Sequence, residues 1–577
     1  MTALSVATEN HVKIIICNTI VLFLIARSPG MKYVRFKLSP LFWLFLVTST
    51  MAQAPDSYRG FMTPQVRSGK MASADHIREY VQDGKLSLSL RDAILLMLEN
   101  NSNIRIDETQ VETQKFALLG AFQPFDPLIQ STLNVNRYSS PGYSQLQGVG
   151  QSTNSTLNSL TQAGQITYTQ TFITGTNIIA GISSTKSSTN SSFYYFNPFF
   201  SSALNLQFTQ PLLRNAGTFA NKAPIIIARR ALQQSRSAFE VEVNDAILQV
   251  VEQYWTAVQA RGTLDVNQKS LKLAVVSYDR DKRALELGAL PPLDIYRSQS
   301  EVAARKVQVI QAQYALTQTE EALRYAIGAD QSTEYHALEL NLTDKPRSEV
   351  SADNVDAAAA LKDALDRRAE VSIAKDSLSM DDTSIRLAKN HLKPDLSVTG
   401  FYQSNGLGGN QYNLNTGQLV LPGGLGSSFT QLFGFGYPGY GGTVTLNLPV
   451  KNRAGQAALG TALVSRSHDL YSGRQIQEQI TREVNLAIQQ LEEAKLALTA
   501  GQVSFDLAQK SLASDQRKFE LGAETNFFVL DSQTKLAQAE LVLLQTQVNY
   551  EVALAAFDHA TGNLLDPYQV KIAEISK

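Results

Sequence analysis

The sequence predicts a mainly α-helical protein with β-strands, built from one long unit that occurs twice. The segment Leu287–Ala289 recurs as Leu521–Ala523, 234 residues further along the chain. Two stretches, Phe219–Leu287 and Gln456–Leu521, contain a single proline, Pro224. Each stretch would form a helix of about 100 Å at about 1.5 Å per residue. A repeat of this size indicates a pseudo-symmetric architecture in which two similar halves share one function.

The repeat continues without a gap from Asp281 to Gly328 in the first copy and from Asp515 to Gly562 in the second. At the 234-residue spacing the matched pairs are Asp281 and Asp515, Arg283 and Arg517, Glu286 and Glu520, Ser298 and Ser532, Gln311 and Gln545, Ala326 and Ala560, and Gly328 and Gly562. Upstream, Gln268–Leu271 matches Gln509–Leu512 at a spacing of 241, which is longer by one heptad. Losing one heptad leaves every packing residue on its original face, so the two copies can pack equivalently.

Shorter helices accompany the two long ones. We expect them to stack end to end in pairs, so that each pair matches one long helix in length and the chain forms four helical columns. The pairs are Leu88–Phe122 with Ile295–Ile327, and Val355–Leu392 with Phe527–Ala560.

The last of these helices, Phe527–Ala560, carries two apolar seams on adjacent faces. The first seam is Leu530, Ala537, Leu541, Leu544, Val548 and Ala555, and the second is Val529, Leu536, Ala539, Leu543, Tyr550, Ala553 and Phe557. A dimeric coiled coil needs one seam, whereas two seams place neighbouring helices on both sides. Such packing closes helices into a ring.

Alternating β-strands fall between the helices in both halves. The expected strands are Leu128–Tyr138, Gln165–Ile173, Asn177–Ser184 and Ala203–Leu212 in the first half, and Leu396–Tyr402 and Thr443–Leu448 in the second. We interpret Ser187–Ser202 and Gly406–Gly442 as loops rich in small and aromatic residues. The turn Thr174–Thr176 predicts either an extra hairpin or one long broken strand. The alternating strands, with aromatic residues between them, indicate a membrane barrel with an aromatic girdle. A β-sandwich insert is the alternative.

A strand count of about four per chain has a consequence for assembly. A membrane barrel needs at least eight strands, so one chain cannot close it. Several chains must each contribute a segment, which implies cyclic symmetry.

Composition excludes several classes of function. Charged residues make up 18% of the chain and the formal net charge is −1, which does not suit electrostatic capture of nucleic acid. Cys17 is the one cysteine, and the six histidines form no pair at metal-ligand spacing. The sequence therefore predicts no disulfide framework, metal site, cofactor or catalytic cluster.

The N-terminal region has the zones of a secretory signal peptide. Basic residues precede the apolar run Leu41–Val47 and the small residues that end at Ala52, where we place cleavage. A membrane anchor is the competing interpretation of this region, but the apolar run is too short to span a membrane. Because a complete signal starts at Met31, we interpret residues 1–30 as an upstream extension ahead of the true start.

Together, the signal peptide, the duplicated helix-strand-strand-helix order and the two turns resemble the TolC family of outer-membrane efflux proteins, the outer membrane factors. The resemblance covers nearly all of residues 85–565. It implies a homotrimeric α-helical barrel continuous with a 12-stranded outer-membrane β-barrel. It also implies a conduit without enzyme activity, in the outer membrane of a Gram-negative bacterium and extending into the periplasm. The partners implied are a periplasmic adaptor, an inner-membrane transporter and outer-membrane lipid.

The resemblance also implies roles for the two turns. Leu287, Gly288 and Ala289, with Leu521, Gly522 and Ala523, correspond to the periplasmic tips where adaptor hairpins dock, although a tight turn alone would also explain them. Asp294 and Asp531 match acidic positions of the family's entrance, and exposed surface acids are the alternative. Phe528 and Phe519 stand where aspartate and tyrosine are often found, so we expect a partly apolar constriction. If the two aspartates form a ring, it should attract cations.

We divide the chain accordingly. The ranges are 1–30, upstream extension; 31–52, signal peptide; 53–84, N-terminal segment; 85–328, repeat 1, with strands about 128–212; 329–353, equatorial linker; 354–565, repeat 2, with strands about 395–448; and 566–577, C-terminal tail. The competing functions are an exported coiled-coil scaffold or adhesin, and a binding module that uses the tips alone. The transported substrate cannot be inferred from these residues.

Overall fold

A computed structural model describes residues 74–570, except 143, 145, 146, 148, 150–155, 289, 290, 292, 294, 330–335, 337 and 351–354. The extension at 1–30, the signal peptide at 31–52 and residues 571–577 lie outside the described residues.

The helices of the described residues group into long rods and short companions. They are α1 (Leu90–Asn100), α2 (Ser102–Gly120), α3 (Thr218–Glu286), α4 (Ile295–Ala326), α5 (Ala357–Arg367), α6 (Ala369–His391), α7 (Leu425–Phe433), α8 (Arg453–Glu520), α9 (Asn526–Thr561) and α10 (Leu565–Tyr568). No helix within these described ranges combines the length and apolarity needed to cross a membrane.

The strands form two sheets. They are β1 (Val81–Gln82), β2 (Lys85–Leu88), β3 (Leu128–Pro141), β4 (Thr156–Thr171), β5 (Asn177–Thr189), β6 (Phe196–Pro211), β7 (Glu339–Leu342), β8 (Asp395–Tyr412), β9 (Leu419–Leu421) and β10 (Pro438–Asn447). A small sheet has the order β1-β2-β7, and a large antiparallel sheet has the order β10-β8-β6-β5-β4-β3, with β9 pairing beside β8.

The two long helices predicted from proline-poor sequence are confirmed. Helix α3 has 69 residues and α8 has 68. Pro224 lies in the second turn of α3, where its ring nitrogen cannot donate to the Ala220 carbonyl, so the helix continues with one backbone hydrogen bond missing. Helices α6 and α9 each pack against both α3 and α8, while α2 and α4 pack against α3. This is the arrangement of four columns that the helix lengths predict.

Both seams of α9 are buried, each against a different long helix. Val548 and Ala555 of the first seam belong to an apolar cluster that contains Val250 and Val251 of α3. Tyr550 and Ala553 of the second seam pack in a cluster with Leu491, Ala494 and Leu498 of α8. The prediction that neighbours hold this helix from both sides is confirmed.

Two helices predicted as continuous are interrupted at corresponding places in the repeats. The backbone is extended at Asn101, between α1 and α2, and at Arg368, between α5 and α6. The Asn101 side chain caps α2 by accepting from the Asn103 amide at 2.8 Å, and it donates to the Ala326 carbonyl at 3.0 Å. Arg368 donates to Glu483 at 2.5 Å and pairs with Glu370. Local capping and ion pairing therefore outweigh helix continuation at these two points.

The main core lies beside the small sheet. It joins Leu86 and Leu88 of β2 with α1, the middle of α3, Leu323 of α4 and α9. The Tyr254 side chain is fully buried there, and its single hydroxyl hydrogen is shared between the Leu88 carbonyl at 3.2 Å and the Asp344 carboxylate at 3.1 Å. These contacts fix the small sheet to α3 at mid-length.

The large sheet corrects the strand count drawn from the sequence. It contains six long strands and the short β9, whereas about four strands per chain were expected, so that estimate is wrong. The turn Thr174–Thr176 joins β4 and β5, so it forms an extra hairpin rather than a broken strand. Of the two expected loops, 187–202 belongs largely to β5 and β6, and 406–442 holds the end of β8, β9, α7 and the start of β10.

Helix α7 lies against β8 and β6, over a surface made of small residues. A Cβ atom on Gly406 would overlap the Ser428 carbonyl, and one on Gly408 would overlap the Gly424 carbonyl. The Ser404 hydroxyl donates to the Leu432 carbonyl at 2.7 Å. Glycine at these two strand positions therefore lets α7 approach β8 closely. The same glycine-rich stretch was predicted from the sequence to be a loop.

We expect Asp558, near the C-terminus of α9, to make stability depend on pH. Burial raises the pKa of this carboxyl from 3.8 to about 6, with Asp566 adding to the shift and Arg347 opposing it. The folded protein thus holds the proton more tightly than the unfolded chain, so the associated stability is present at low pH and is lost as pH rises from about 4 to 6. Asp558→Asn should raise the free energy of unfolding at pH 7.5 by about 2 kcal/mol, after allowance for partial exposure, and leave it nearly unchanged at pH 4.

Thermal unfolding at the two pH values measures this effect. Asp363→Asn, which changes an exposed carboxyl on α5, is the control and should have little effect at either pH. Equal stabilisation by Asp558→Asn at pH 4 and pH 7.5 would contradict the role assigned to burial.

Candidate functional site

The two helical hairpins end in turns of the same geometry. Gly288 and Gly522 both have φ of +73°, which L side chains rarely adopt, and a Cβ on either would meet no atom within 4 Å. The first amide bonds of the turns also match, because Leu287 donates to the Arg283 carbonyl at 3.0 Å and Leu521 to the Arg517 carbonyl at 3.1 Å. Glycine is therefore required by backbone conformation rather than by crowding.

Apolar side chains project from these turns. Leu287 is 84% exposed, Leu293 79% and Leu521 77%. Ala523 is also exposed, and its amide donates to the Lys518 carbonyl at 2.9 Å. Ala289 lies outside the described residues. Exposed leucines at the ends of rigid helices provide a surface on which a partner can bury apolar area.

Each hairpin has the same internal brace just behind its turn. Ser298 of α4 donates to the Asp281 carboxylate of α3, and Ser532 of α9 donates to the Asp515 carboxylate of α8 at 2.5 Å. The Ser532 hydrogen bond is the largest cause of a lowered pKa at Asp515, and Lys518 adds to it. These four residues are related by the 234-residue repeat. The matched serine and aspartate positions are therefore the feature of the sequence that could have indicated both hydrogen bonds.

Arg280 of α3 links the first hairpin to the second. Its guanidinium lies 4.5 Å from the centre of the Phe519 ring and donates to the Asn526 side chain. Asn526 in turn donates to Asp281 at 2.9 and 3.1 Å. Cation, ring, amide and carboxylate thus form one connected contact between α3, α8 and the start of α9.

A second contact lies between α4 and α9. The Arg297 guanidinium is 4.8 Å from the centre of the Phe527 ring, and Arg305 donates to the Thr534 hydroxyl at 2.6 Å. Phe527 packs edge-on against Phe528 at 5.4 Å between ring centres, and both rings are about half exposed. The hairpins of one chain are therefore held together by polar and cation-π contacts, with exposed aromatic rings beside them.

The acidic positions expected at the entrance have different surroundings. Asp531 pairs with Lys535 on the same face of α9 at 2.7 Å, and this hydrogen bond raises the pKa of Lys535. Asp294 lies outside the described residues. Phe519, Phe528 and Asp531 are brought to the same end of the helices, but Phe519 contacts Arg280 whereas Phe528 contacts Phe527.

Comparison with known proteins identifies the family. The model of the outer membrane efflux protein family matches residues 177–329 and 360–563, more than half of the 577 residues. The chain belongs to this family, and the resemblance drawn from its sequence is confirmed. A curated relative, outer membrane protein TolC of Vibrio cholerae, is 22% identical over 341 residues, which cover 58% of this chain and 72% of the relative.

Solved structures share the fold. The CmeC outer membrane channel of Campylobacter jejuni superposes with a TM-score of 0.57 at 13% identity, covering 89% of this chain and 93% of that one. The open state of the MtrE outer membrane channel of Neisseria gonorrhoeae superposes with a TM-score of 0.55 at 14% identity, covering 87% and 98%. Helical barrels joined to a β-domain are thus the fold class of this chain.

Asp281 and Asp515 give a matched test of the contacts between hairpins. Asp281→Ala removes the acceptor of Ser298 in its own hairpin and of Asn526 in the other, so amide hydrogen exchange should accelerate about five- to ten-fold at both turns, as expected for one or two lost hydrogen bonds. Asp515→Ala removes contacts to Ser532 and Lys518 within one hairpin, so faster exchange should stay in 510–535. Faster exchange in both hairpins of the Asp515 variant would contradict this assignment.

Proposed function

We propose that this protein is the outer-membrane exit duct of a tripartite efflux or type I secretion system, assembled as a homotrimer. In this proposal the large sheet contributes to a barrel in the outer membrane of a Gram-negative bacterium, and the helices extend into the periplasm. Substrates pass from an inner-membrane transporter through the duct to the exterior. The observation that carries the proposal is the membership of the outer membrane efflux family together with two equivalent hairpin turns, each at the end of a long helix that begins at the large sheet.

The packing of the columns supports a closed helical wall. A helix buried on one side can sit in a bundle or a scaffold, whereas α9 and α6 are held between α3 and α8. The wall of one chain ends on one side at α8 and on the other at the column of α2 and α4. A copy of the same chain placed there continues the ring.

The turns are proposed to dock the helical hairpins of a periplasmic adaptor. The exposed leucines, Leu287 and Leu521, offer apolar anchors of the kind that dominate protein interfaces. Gly288, Gly522 and Ala523 keep the turns narrow, so a partner helix can approach the backbone closely; Ala289 is assigned to the same docking motif from its sequence. Both turns of each chain would present the same motif, giving two similar docking places per subunit.

The contacts between hairpins are proposed to hold the periplasmic end closed. Arg280 contacts Phe519 and Asn526, and separation of the two hairpins would break both interactions at once. Phe528 would add an apolar element to the constriction. A partner that binds the separated hairpins more tightly than the joined hairpins would shift the population toward the open state.

Single-channel conductance in planar bilayers tests the duct and its closure together. The unmodified protein should insert and conduct in stable steps. Arg280→Ala should raise the population of the open state about ten-fold, because the lost contacts contribute about 1–3 kcal/mol. Arg283→Ala is the control: Arg283 is exposed nearby and donates to the Asp279 carbonyl of its own helix, so its loss should not open the channel.

Purified protein that never conducts would contradict the proposed function. Equal opening by the Arg280 and Arg283 variants would instead contradict the closure by Arg280 and leave the duct in place.

The proposed acidic ring makes a separate prediction about ion selectivity. Asp531→Ala should weaken cation preference, whereas Lys535→Ala should strengthen it, because Lys535 neutralises part of the Asp531 charge. Asp294→Ala should act in the same direction as Asp531→Ala. Reversal potentials under a salt gradient measure these changes, and unchanged selectivity in the Asp294 and Asp531 variants would place both carboxylates away from the ion path.

A further inference from the structure

We propose that three copies of this chain close an 18-stranded barrel, with β10 of each copy paired to β3 of the next. This inference rests on the proposed homotrimeric duct and adds to it the partner of each sheet edge and the width of the membrane pore. It departs from the 12-stranded barrel implied by the resemblance, because the extra hairpin β4–β5 lies inside the sheet.

The inserted hairpin is fully paired with its neighbours. From β3 through β4 and β5 to β6 the strands pair residue by residue without a register shift. The Thr174–Thr176 turn is fixed at the helix end of the sheet, where the Gly217 amide donates to the Thr174 carbonyl at 3.2 Å and the Thr176 hydroxyl donates to Gln210 at 2.5 Å. The hairpin therefore cannot leave the sheet without breaking two complete ladders.

In the part of the sheet nearer the helices, one face is apolar across all six long strands; farther from the helices α7 covers the same face at Ser404 and Gly406. A single cross-strand row contains Ile129, Tyr168, Ala180, Leu206, Tyr402 and Tyr440. Ile166, Ile182 and Leu204 follow in the next row of the same face. The inserted strands thus present the same apolar surface to lipid as their neighbours.

The opposite face is mainly polar and uncharged over the same strands. The adjacent row contains Gln130, Thr167, Gly181, Asn205, Gln403 and Gly439. Period-two alternation between a lipid-facing and a lumen-facing side is the pattern of a membrane barrel wall. Because β4 and β5 follow this alternation, they belong to the barrel wall and do not form a hairpin outside it.

The two edges of the sheet require a partner. Within the described chain β3 pairs with β4 alone and β10 with β8 alone, so each leaves one row of backbone groups open. In lipid every such group must be satisfied, and six strands are too few to close. Strand β3 runs away from the helices and β10 runs toward them. A second copy can therefore pair its β3 with β10 in the antiparallel sense that the rest of the sheet uses.

The widths of the sheet and of the helical wall agree. Six strands about 4.8 Å apart and tilted by about 40° span roughly 38 Å. Four helical columns spaced by about 8–10 Å span roughly 32–40 Å. The six-stranded arc of each chain can thus continue its helical arc with little change in width. Three such arcs give eighteen strands and a pore about 1.5 times as wide as twelve strands would give.

Disulfide trapping in the full-length chain tests the edge pairing. In a Cys17→Ser background, Thr443→Cys on β10 would be combined in turn with Gln130→Cys, Thr132→Cys and Asn134→Cys on β3, all on the polar face. We expect at least one pair to give oxidation-dependent cross-linked chains, and native mass spectrometry to give three chains per particle. Thr443→Cys with Ser183→Cys, an interior position of β5, is the control and should not cross-link.

A deletion tests the strand number. Removing residues 156–189 leaves β3 and β6 antiparallel and free to pair, which would give four long strands per chain. Its pore should be about two-thirds as wide, so the largest poly(ethylene glycol) that enters from the loop side should be smaller. Removing residues 414–417, from the exposed turn before β9, should leave this limit unchanged.

The outcomes separate the two proposals. Absent edge cross-links, a mass of two chains, or an unchanged polymer limit after the deletion would each overturn the 18-stranded barrel. If the unmodified protein does not conduct, the proposed function fails, while cross-links and mass still decide the closure of the sheet.

Discussion

The burial of two helical columns on both sides is the constraint on which the rest of this structure depends. Helix α9 is packed on two sides, because Val548 and Ala555 pack toward α3 while Tyr550 and Ala553 pack toward α8, and only a stripe that includes Val542 and Gln545 stays exposed between them. Such a helix cannot be the outermost element of a compact bundle. The chain consequently spreads its columns side by side, and the hairpins, the small sheet and the large sheet take their places along that wall.

Much of this arrangement could be predicted from the sequence, because it depends on local patterns. The scarcity of proline predicts α3 and α8, two seams predict the double contact of α9, and glycine at matching positions predicts both turns. The strands were predicted less completely. Segments 187–202 and 406–442 are rich in serine and glycine, which local propensity assigns to loops. Pairing on both sides stabilises strands there regardless of their side chains, and Gly406 is small because α7 covers it.

The contacts between hairpins mark the limit of that reasoning. Ser298 and Asp281 are separated by 17 residues and recur in the second copy, so the repeat could have indicated their hydrogen bond. Arg280 and Phe519 lie in different halves of the chain, and nothing in either local sequence specifies that they meet. Their contact follows from the placement of α3 beside α8 and α9, which requires the tertiary structure.

The interruptions at Asn101 and Arg368 have a mechanical consequence. Two of the four columns are divided, whereas α3 and α8 run without a break from the sheet to the turns. Bending stress applied at the turns is therefore carried by two slender rods per chain. At mid-length α3 is held by the core around Tyr254, and α8 by the apolar clusters that contain Val484 and Leu491. Below these contacts the rods can flex, and above them the sheet is shielded from their displacement.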